Sequence, residues 1–333
     1  MADPPAIADG WTATPYRGAW WLPGPHAQTI AGRLLRRPKS PAFRRERVDL
    51  PDGDFIDLDW APGGDPASPL VLLLHGLEGS ARRGYAIHTY DQLAKRGLRA
   101  VGFNFRSCSG EPNRTARFYH SGETEDLRYL LGLLAGRGSP VSAAVGFSLG
   151  GNVLLKYLGE EGSKAATLRA AVAVSVPYDL AAGADILEQT QMGRFYTSRF
   201  VTSLVAKAVA KQALLANRCD VDRIRRARTF REFDDAATAP IHGFDSAADY
   251  YACSSSAGFL ERIRVPTLLI HSRDDPFLPA GALPRSAVEA NPYLHSAFTA
   301  KGGHVGFITG QPWAPRFWAE ETAARFVAGR VAG

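Results

Sequence analysis

Sulfur is scarce in this sequence of 333 residues: three cysteines and two methionines. Cys108, Cys219 and Cys253 are far apart and odd in number, which excludes a disulfide framework and shows no metal-ligand spacing. Reduced thiols in a cytoplasmic protein are expected, with no metal and no cofactor. Cys108 sits in the loop "RSCSGEPN" (106–113), where a bystander is expected over a reactive thiol, since no histidine pairing is visible. Long apolar runs are also missing. No stretch of roughly 18 or more apolar residues occurs, so no membrane span is expected. The opening "MADPPAIADGW" has neither a basic nor an apolar leader region, and no signal peptide is expected. Internal repeats and low-complexity tracts are absent.

What is present is ordinary globular composition, 45% hydrophobic and 22% charged. The chain is long enough to bury a large core. Its formal net charge is +6. Two clusters carry much of that, "RLLRRPKSPAFRRER" (33–47) and "DRIRRARTFRE" (222–232). Neither interleaves aromatics nor carries a nucleic-acid-binding signature, so a solvated arginine-rich surface is expected and no nucleic-acid partner. Stable membrane insertion is not expected; peripheral contact with lipid stays open.

Residues 44–60, "RRERVDLPDGDFIDLDW", read as a hairpin around Asp52-Gly53. Apolar runs follow at 69–77, 99–105, 141–148, 169–177 and 265–272, and a last strand, "SAFTAKGGH", leads to His304. Helix-period segments at 85–97, 122–138 and 149–160 separate them. Near-continuous apolar strands alternating with helices indicate a mostly parallel central sheet flanked by helices. Between Pro177 and Val265 no core strand is readable, so a helical cap insertion is expected at about 178–258 of a domain running 44–333. Residues 1–43, rich in proline and aromatics, read as an N-terminal arm packing on the core.

In "AAVGFSLGGNVLLKYL" (143–158) an apolar strand enters a serine between glycines, and a helix follows at once. A sharp strand-to-helix turn strains the serine backbone and crowds the residues two before and two after it, which Gly146 and Gly150 relieve. The Ser148 hydroxyl is then lifted above the strand end, at a helix N-terminus that suits a developing anion. A serine nucleophile needs a base, and the base an orienting acid. "LLIHSRDDPFLP" (268–279) offers Asp274 and Asp275 at a strand end. The turn ending in proline favours Asp275 as the acid, with Asp274 as a loop or capping residue. "AKGGHVGF" (300–307) offers His304 as the base. Oxyanion stabilisation needs two donors; the backbone N–H groups of Leu149 and of Leu77, in "HGLEGS", are expected to supply them. His75 is expected to support that loop rather than act as a base.

These motifs resemble the YheT-like family of α/β hydrolases. That family includes bacterial proteins assigned as esterases, yeast medium-chain ester synthases/esterases and mammalian abhydrolase-domain phospholipases. The resemblance rests on "PGPHAQTI", "LLLHGLEGS", "NFRSCSGEPN", "YHSGETEDL", "GFSLGGN", "TFREFDDAATAPIHGF", "YYACSSS", "DDPFLP" and "GGHVGF", and spans almost the whole chain. It implies the α/β-hydrolase fold with a helical lid and esterase activity on acyl esters. It carries the nucleophile onto Ser148, the acid onto Asp275 and the base onto His304. The sequence departs from the family at Ser107, where glycine is usual, and at Gly24-Pro25-His26, where asparagine-proline-histidine is usual. In "HSGETED", Glu123, Glu125 and Asp126 open a helix and suit its dipole, or His120 and Arg106 brace the active-site loops.

The expected function is a serine carboxylesterase acting through an acyl-enzyme on a small-molecule ester of short or medium acyl length. The bulky insert after Pro177 motivates the length, and Trp20, Trp21, Tyr196 and Phe200 are candidates to line the acyl channel. Acyl transfer to an alcohol and phospholipid hydrolysis use the same triad. A ligand-binding protein on a hydrolase fold is the reading from another class, disfavoured because serine, acid and histidine are all present.

Overall fold

The computed structural model describes residues 11–165 and 167–331. The strand signals become one eight-stranded sheet. Its strands are β1 (Arg44–Asp49), β2 (Phe55–Trp60), β3 (Leu70–Leu74), β4 (Arg99–Asn104), β5 (Val141–Phe147), β6 (Ala170–Val174), β7 (Thr267–Ser272) and β8 (Leu294–Thr299). They lie in the order β1-β2-β4-β3-β5-β6-β7-β8. The hairpin β1–β2 and the β2–β4 pair are antiparallel, and every later neighbour is parallel.

The unbroken apolar runs have a simple cause. A strand alternates its side chains between two faces, and both faces here are covered. In β3, Leu70, Leu72 and Leu74 enter one core, while Val71 and Leu73 enter the other. Burying each such side chain contributes roughly 1.5–3 kcal/mol.

The helices up to the β5–β6 connection are α1 (Pro25–Leu35), α2 (Gly84–Ala94), α3 (Glu125–Gly136) and α4 (Leu149–Glu161). Between β6 and β7 the described chain forms no strand. It holds α5 (Leu180–Gln189), α6 (Gln191–Ala210), α7 (Gln212–Leu215), α8 (Val221–Arg226), α9 (Phe230–Phe233), α10 (Ala239–His242) and α11 (Ala247–Ser254). After β7 come α12 (Arg285–Ala290), a hairpin of β9 (Ile308–Gln311) and β10 (Ala314–Phe317), and α13 (Trp318–Val331). No helix among the described residues is long and apolar enough to cross a membrane.

Two sequence expectations need correction, and the arm before residue 44 gains a regular helix, α1, started by Pro25 in the first turn after Gly24 at φ 81°. Proline there lacks only an N–H that the helix would leave unbonded. The last sheet strand starts at Leu294 and stops at Thr299, five residues short of His304. Gly302 and Gly303, at φ 151° and 61°, turn the chain away first. The cluster 33–47 is largely paired rather than freely solvated. Arg36 is buried on Glu320 at 2.5 Å, and Arg45 and Arg47 grip the buried Asp59 and Asp57 across the β1–β2 hairpin.

Candidate active site

Strand β5 ends at Phe147 and α4 begins at Leu149, so Ser148 makes the whole turn, with φ 51° and ψ −120°. This left-handed backbone is rare outside glycine. Its neighbours have no room for a Cβ. One on Gly146 would meet the Gly150 carbonyl at 2.5 Å, and one on Gly150 would meet the His75 carbonyl at 2.5 Å.

Ser148 Oγ lies 3.0 Å from His304 Nε2. His304 Nδ1 lies 2.9 Å from Asp275 Oδ2 and 3.2 Å from Oδ1. With Nδ1–H donated to the carboxylate, Nε2 is left to accept the serine proton. Phe277 stacks on the imidazole, centroids 4.1 Å apart and planes 7° apart, which fixes the ring's tilt. Asp275 is fully buried. Burial pushes its carboxyl up, but His304, His271 and the Phe277 N–H together hold it below the usual range. Asp274 accepts the Gly303 N–H at 3.0 Å and so props the loop that carries His304.

The turn after β3 presents four successive N–H groups. Gly76 N–H donates to Tyr85 Oη at 3.0 Å, Glu78 N–H to Tyr119 Oη at 2.8 Å, and Gly79 N–H to the Gly76 carbonyl at 2.9 Å. Leu77 N–H is the one these bonds leave over. The Leu149 N–H opens α4, where no carbonyl one turn earlier exists to receive it. Leu77 and Leu149 both line the same pocket as Ser148 and His304. His75 is fully buried, with Nδ1 2.8 Å from the Gly76 carbonyl and Nε2 accepting the Phe105 N–H at 3.3 Å. Burial lowers it to about 4, so it is a neutral brace for this turn.

The pocket has a volume of about 840 Å³. Tyr196 and Phe200 line it, whereas Trp20 and Trp21 do not. Those indoles turn instead to Gln311 and to the Gly310 carbonyl on the β9–β10 hairpin. The N-terminal segment reaches the site through α1. Thr29 Oγ1 accepts the His304 N–H at 2.9 Å, and Gln28 bonds both polar backbone atoms of Ile308. A Cβ on Gly303 would meet the Pro25 carbonyl at 2.4 Å, so glycine lets α1 approach. Cys108 is buried and its thiol is pushed up to about 11 by that burial, against Lys207, which leaves it protonated and inert.

The two unassigned motifs interlock. Arg106 donates twice to Asp126 at 2.7 Å, and to Asp52 and Asp54 at 2.7 and 2.9 Å. It thus ties the β1–β2 turn to the start of α3, rather than bracing the Ser148 loops. Ser107 stands at φ 61°, which explains glycine as the usual occupant, and its Oγ bonds Asn113. Ser121 serves the helix that follows Ser148: Asn152 Nδ2 donates to the Ser121 and Ser254 carbonyls at 2.8 and 2.7 Å. Replacing Arg106 with leucine is expected to cost about 3–5 kcal/mol, because Asp54 and Asp126 stay buried without their cation. A denaturant-unfolding midpoint close to wild type would contradict this.

The fold also gathers a donor set that the sequence spacing hid. Ligand atoms of His120, Glu123 and His242 lie within 4.8 Å of one another. Glu123 and His120 are already engaged within the protein, which suits hydrogen bonding better than a dication. Glu123 already accepts from Arg117 at 2.8 Å and from the Glu125 N–H at 3.0 Å. His120 Nδ1 accepts the Gly122 N–H at 3.1 Å, which assigns its proton to Nε2, the nitrogen 3.8 Å from Glu123. Burial, then Arg117, Arg106 and Lys211, lower His242 to about 3.

Residues 69–311 match the family model described as the alpha/beta hydrolase fold. The chain is 41% identical over 300 residues to "Putative esterase YheT" of Escherichia coli (strain K12), covering 89% of this chain and 87% of that one. It is 33% identical over 293 residues to "Phospholipase ABHD3" of Mus musculus, covering 84% and 71%. Among solved structures, the Pyrococcus furiosus esterase PF2001 superposes with a TM-score of 0.55 at 17% identity, over 95% of this chain and 97% of that one.

Proposed function

The chain belongs to the α/β-hydrolase fold family, in its YheT-like branch, and on that premise we propose that it is a serine carboxylesterase for small-molecule esters of short to medium acyl length. The observation that carries the reading is the unbroken chain Ser148 Oγ–His304 Nε2 and His304 Nδ1–Asp275, at 3.0 and 2.9 Å. His304 takes the serine proton as Oγ attacks the ester carbonyl. The Leu77 and Leu149 N–H groups receive the charge on the carbonyl oxygen. His304 then returns the proton to the departing alcohol, and a water repeats the sequence on the acyl-enzyme. The unpaired cysteines fit a reducing cytoplasm as its compartment.

Phospholipid hydrolysis is a second reading, favoured by the basic rim of the pocket. Arg33, Arg83 and Arg199 all line it, and none has a carboxylate partner among the described residues. Burial, then its two neighbouring cations Arg83 and Arg199, lower the Arg33 guanidinium below its usual value. A panel of p-nitrophenyl esters of increasing acyl length, run beside a diacyl phosphatidylcholine, separates the two. Short and medium p-nitrophenyl esters are expected to turn over fastest, since α5, α6 and α9 wall the pocket in to about 840 Å³. Fastest cleavage of long-chain esters would overturn the chain-length assignment. Preferred cleavage of the phospholipid would select the second reading. Adding ethanol and measuring the ratio of acid to ethyl ester distinguishes hydrolysis from acyl transfer.

A further inference from the structure

We propose that Glu78 is a positioning residue that clamps the oxyanion-binding turn to helix α6, so that the Leu77 donor is aimed only while α6 is seated. The inference rests on the esterase reading of Ser148 and adds a residue with no part in the triad.

Glu78 directly follows Leu77 and holds φ 52°, a left-handed backbone that a non-glycine residue adopts only where its surroundings enforce it. Its carboxylate is nine-tenths buried. One oxygen accepts from Tyr119 Oη at 2.9 Å and from Lys207 Nζ at 2.7 Å. The other accepts from Ser203 Oγ. Tyr119 also receives the Glu78 N–H, closing a ring of two hydrogen bonds around the residue. Arg83 Nη2 donates to the Glu78 carbonyl at 2.7 Å.

Ser203 and Lys207 are four apart on α6, hence on one face of that helix. The same helix places Tyr196 and Phe200 over the pocket. A single carboxylate therefore joins the helix that covers the substrate space to the turn that presents an N–H into it. Within that turn the N–H groups of Gly76 and Gly79 are anchored locally, on Tyr85 and on Gly76. Glu78 is the link that leaves the turn for α6. Withdrawing α6 would strip two of the three donors from the carboxylate and leave Glu78 held by Tyr119 and Arg83 alone. The Leu77 N–H belongs to the Gly76–Leu77 peptide, so a loosened Glu78 would reach it through the backbone torsions of Leu77.

Glu78→Gln keeps the side chain's shape and removes its charge, and Lys207→Met removes the partner while leaving the carboxylate. With p-nitrophenyl butyrate, each is expected to lower kcat roughly tenfold to a hundredfold, short of losing an oxyanion donor outright, with KM within about twofold. Binding of a trifluoromethyl ketone, whose serine adduct carries an oxyanion, should weaken by the same factor. Binding of the matching methyl ketone should not change. The double variant should lose little beyond either single one, because the two act as a unit. A kcat for both variants equal to wild type would overturn the clamp. So would equal weakening of the two ketones accompanied by a lowered Tm, which marks a merely structural role. Wild-type turnover that vanishes in Ser148→Ala tests the underlying reading separately. A wild type without turnover would remove that reading and the clamp together, whereas an active wild type matched by Glu78→Gln and Lys207→Met removes the clamp alone.

Discussion

Ser148→Ala is expected to lower kcat on a carboxylic ester by about a thousandfold or more while the protein stays folded. The change removes one hydroxyl at the mouth of a pocket and touches no core packing. The left-handed turn survives, because it is enforced by the neighbours of Gly146 and Gly150 rather than by the hydroxyl. Stability should therefore change by no more than about 0.5 kcal/mol. Residual turnover would come from the Leu77 and Leu149 N–H groups and from substrate binding. A phosphonate should label wild type at one site and leave the variant unlabelled. His304→Ala should fall to a similar rate, and the double variant should fall little further, since the serine is activated only through that histidine. A folded Ser148→Ala protein that kept most of its activity would defeat the triad reading. Cys108, the other nucleophile in the neighbourhood, is protonated and buried and gives no ready substitute.

Two adjacent aspartates give the second large effect. Asp275→Asn is expected to lower kcat by about ten-thousand-fold, the scale of the equivalent change in a serine protease. An asparagine at Asp275 can present its amide to His304 Nδ1, which favours the tautomer with the proton on Nε2. That tautomer cannot accept the serine proton, and the imidazolium formed during attack loses its counter-charge. Asp274→Asn should cost no more than about tenfold, because the amide oxygen can still receive the Gly303 N–H and only a charge-assisted bond is weakened. Steady-state kinetics on the pair decides the matter, and the opposite ranking would reassign the acid. His271 gives the comparison a further physical basis. It is fully buried with Nε2 3.4 Å from Asp275 Oδ2, so the acid at 275 faces two imidazoles, while Asp274 faces the loop.

Much of the site is legible in sequence because its parts obey local rules. A strand that runs apolar into Gly146-Phe147-Ser148-Leu149-Gly150 and out into a helix has few ways to turn, and each puts the serine at the apex. Asp275 and His304 follow strands β7 and β8 within loops marked by proline and glycine. Hydrophobic period alone separates β3, β5, β6 and β7 from α2, α3 and α4, and so implies the parallel sheet. Even Leu77 and Leu149 can be named from their places beside a strand end and a helix start.

What the chain does not announce is which distant groups meet. The distance between Ser148 and His304, 156 positions apart, exists only once the sheet has set its strand order. Gly24-Pro25 reads locally as a loop signal, yet it starts the helix whose Thr29 holds the backbone of His304, 275 positions away. Glu78 looks like a solvated charge in a glycine-rich turn until α6 brings Ser203 and Lys207 to it. Arg106 and Asp54, or His120 and His242, show no pattern in sequence for the same reason. Hydrophobic period and turn chemistry are properties of neighbours in the chain, so sequence alone determined the core strands, the helices between them and the apex residues. Hydrogen-bond partners of buried polar groups are chosen by whichever segments the packed core brings within about 3 Å, and that choice belonged to the tertiary structure.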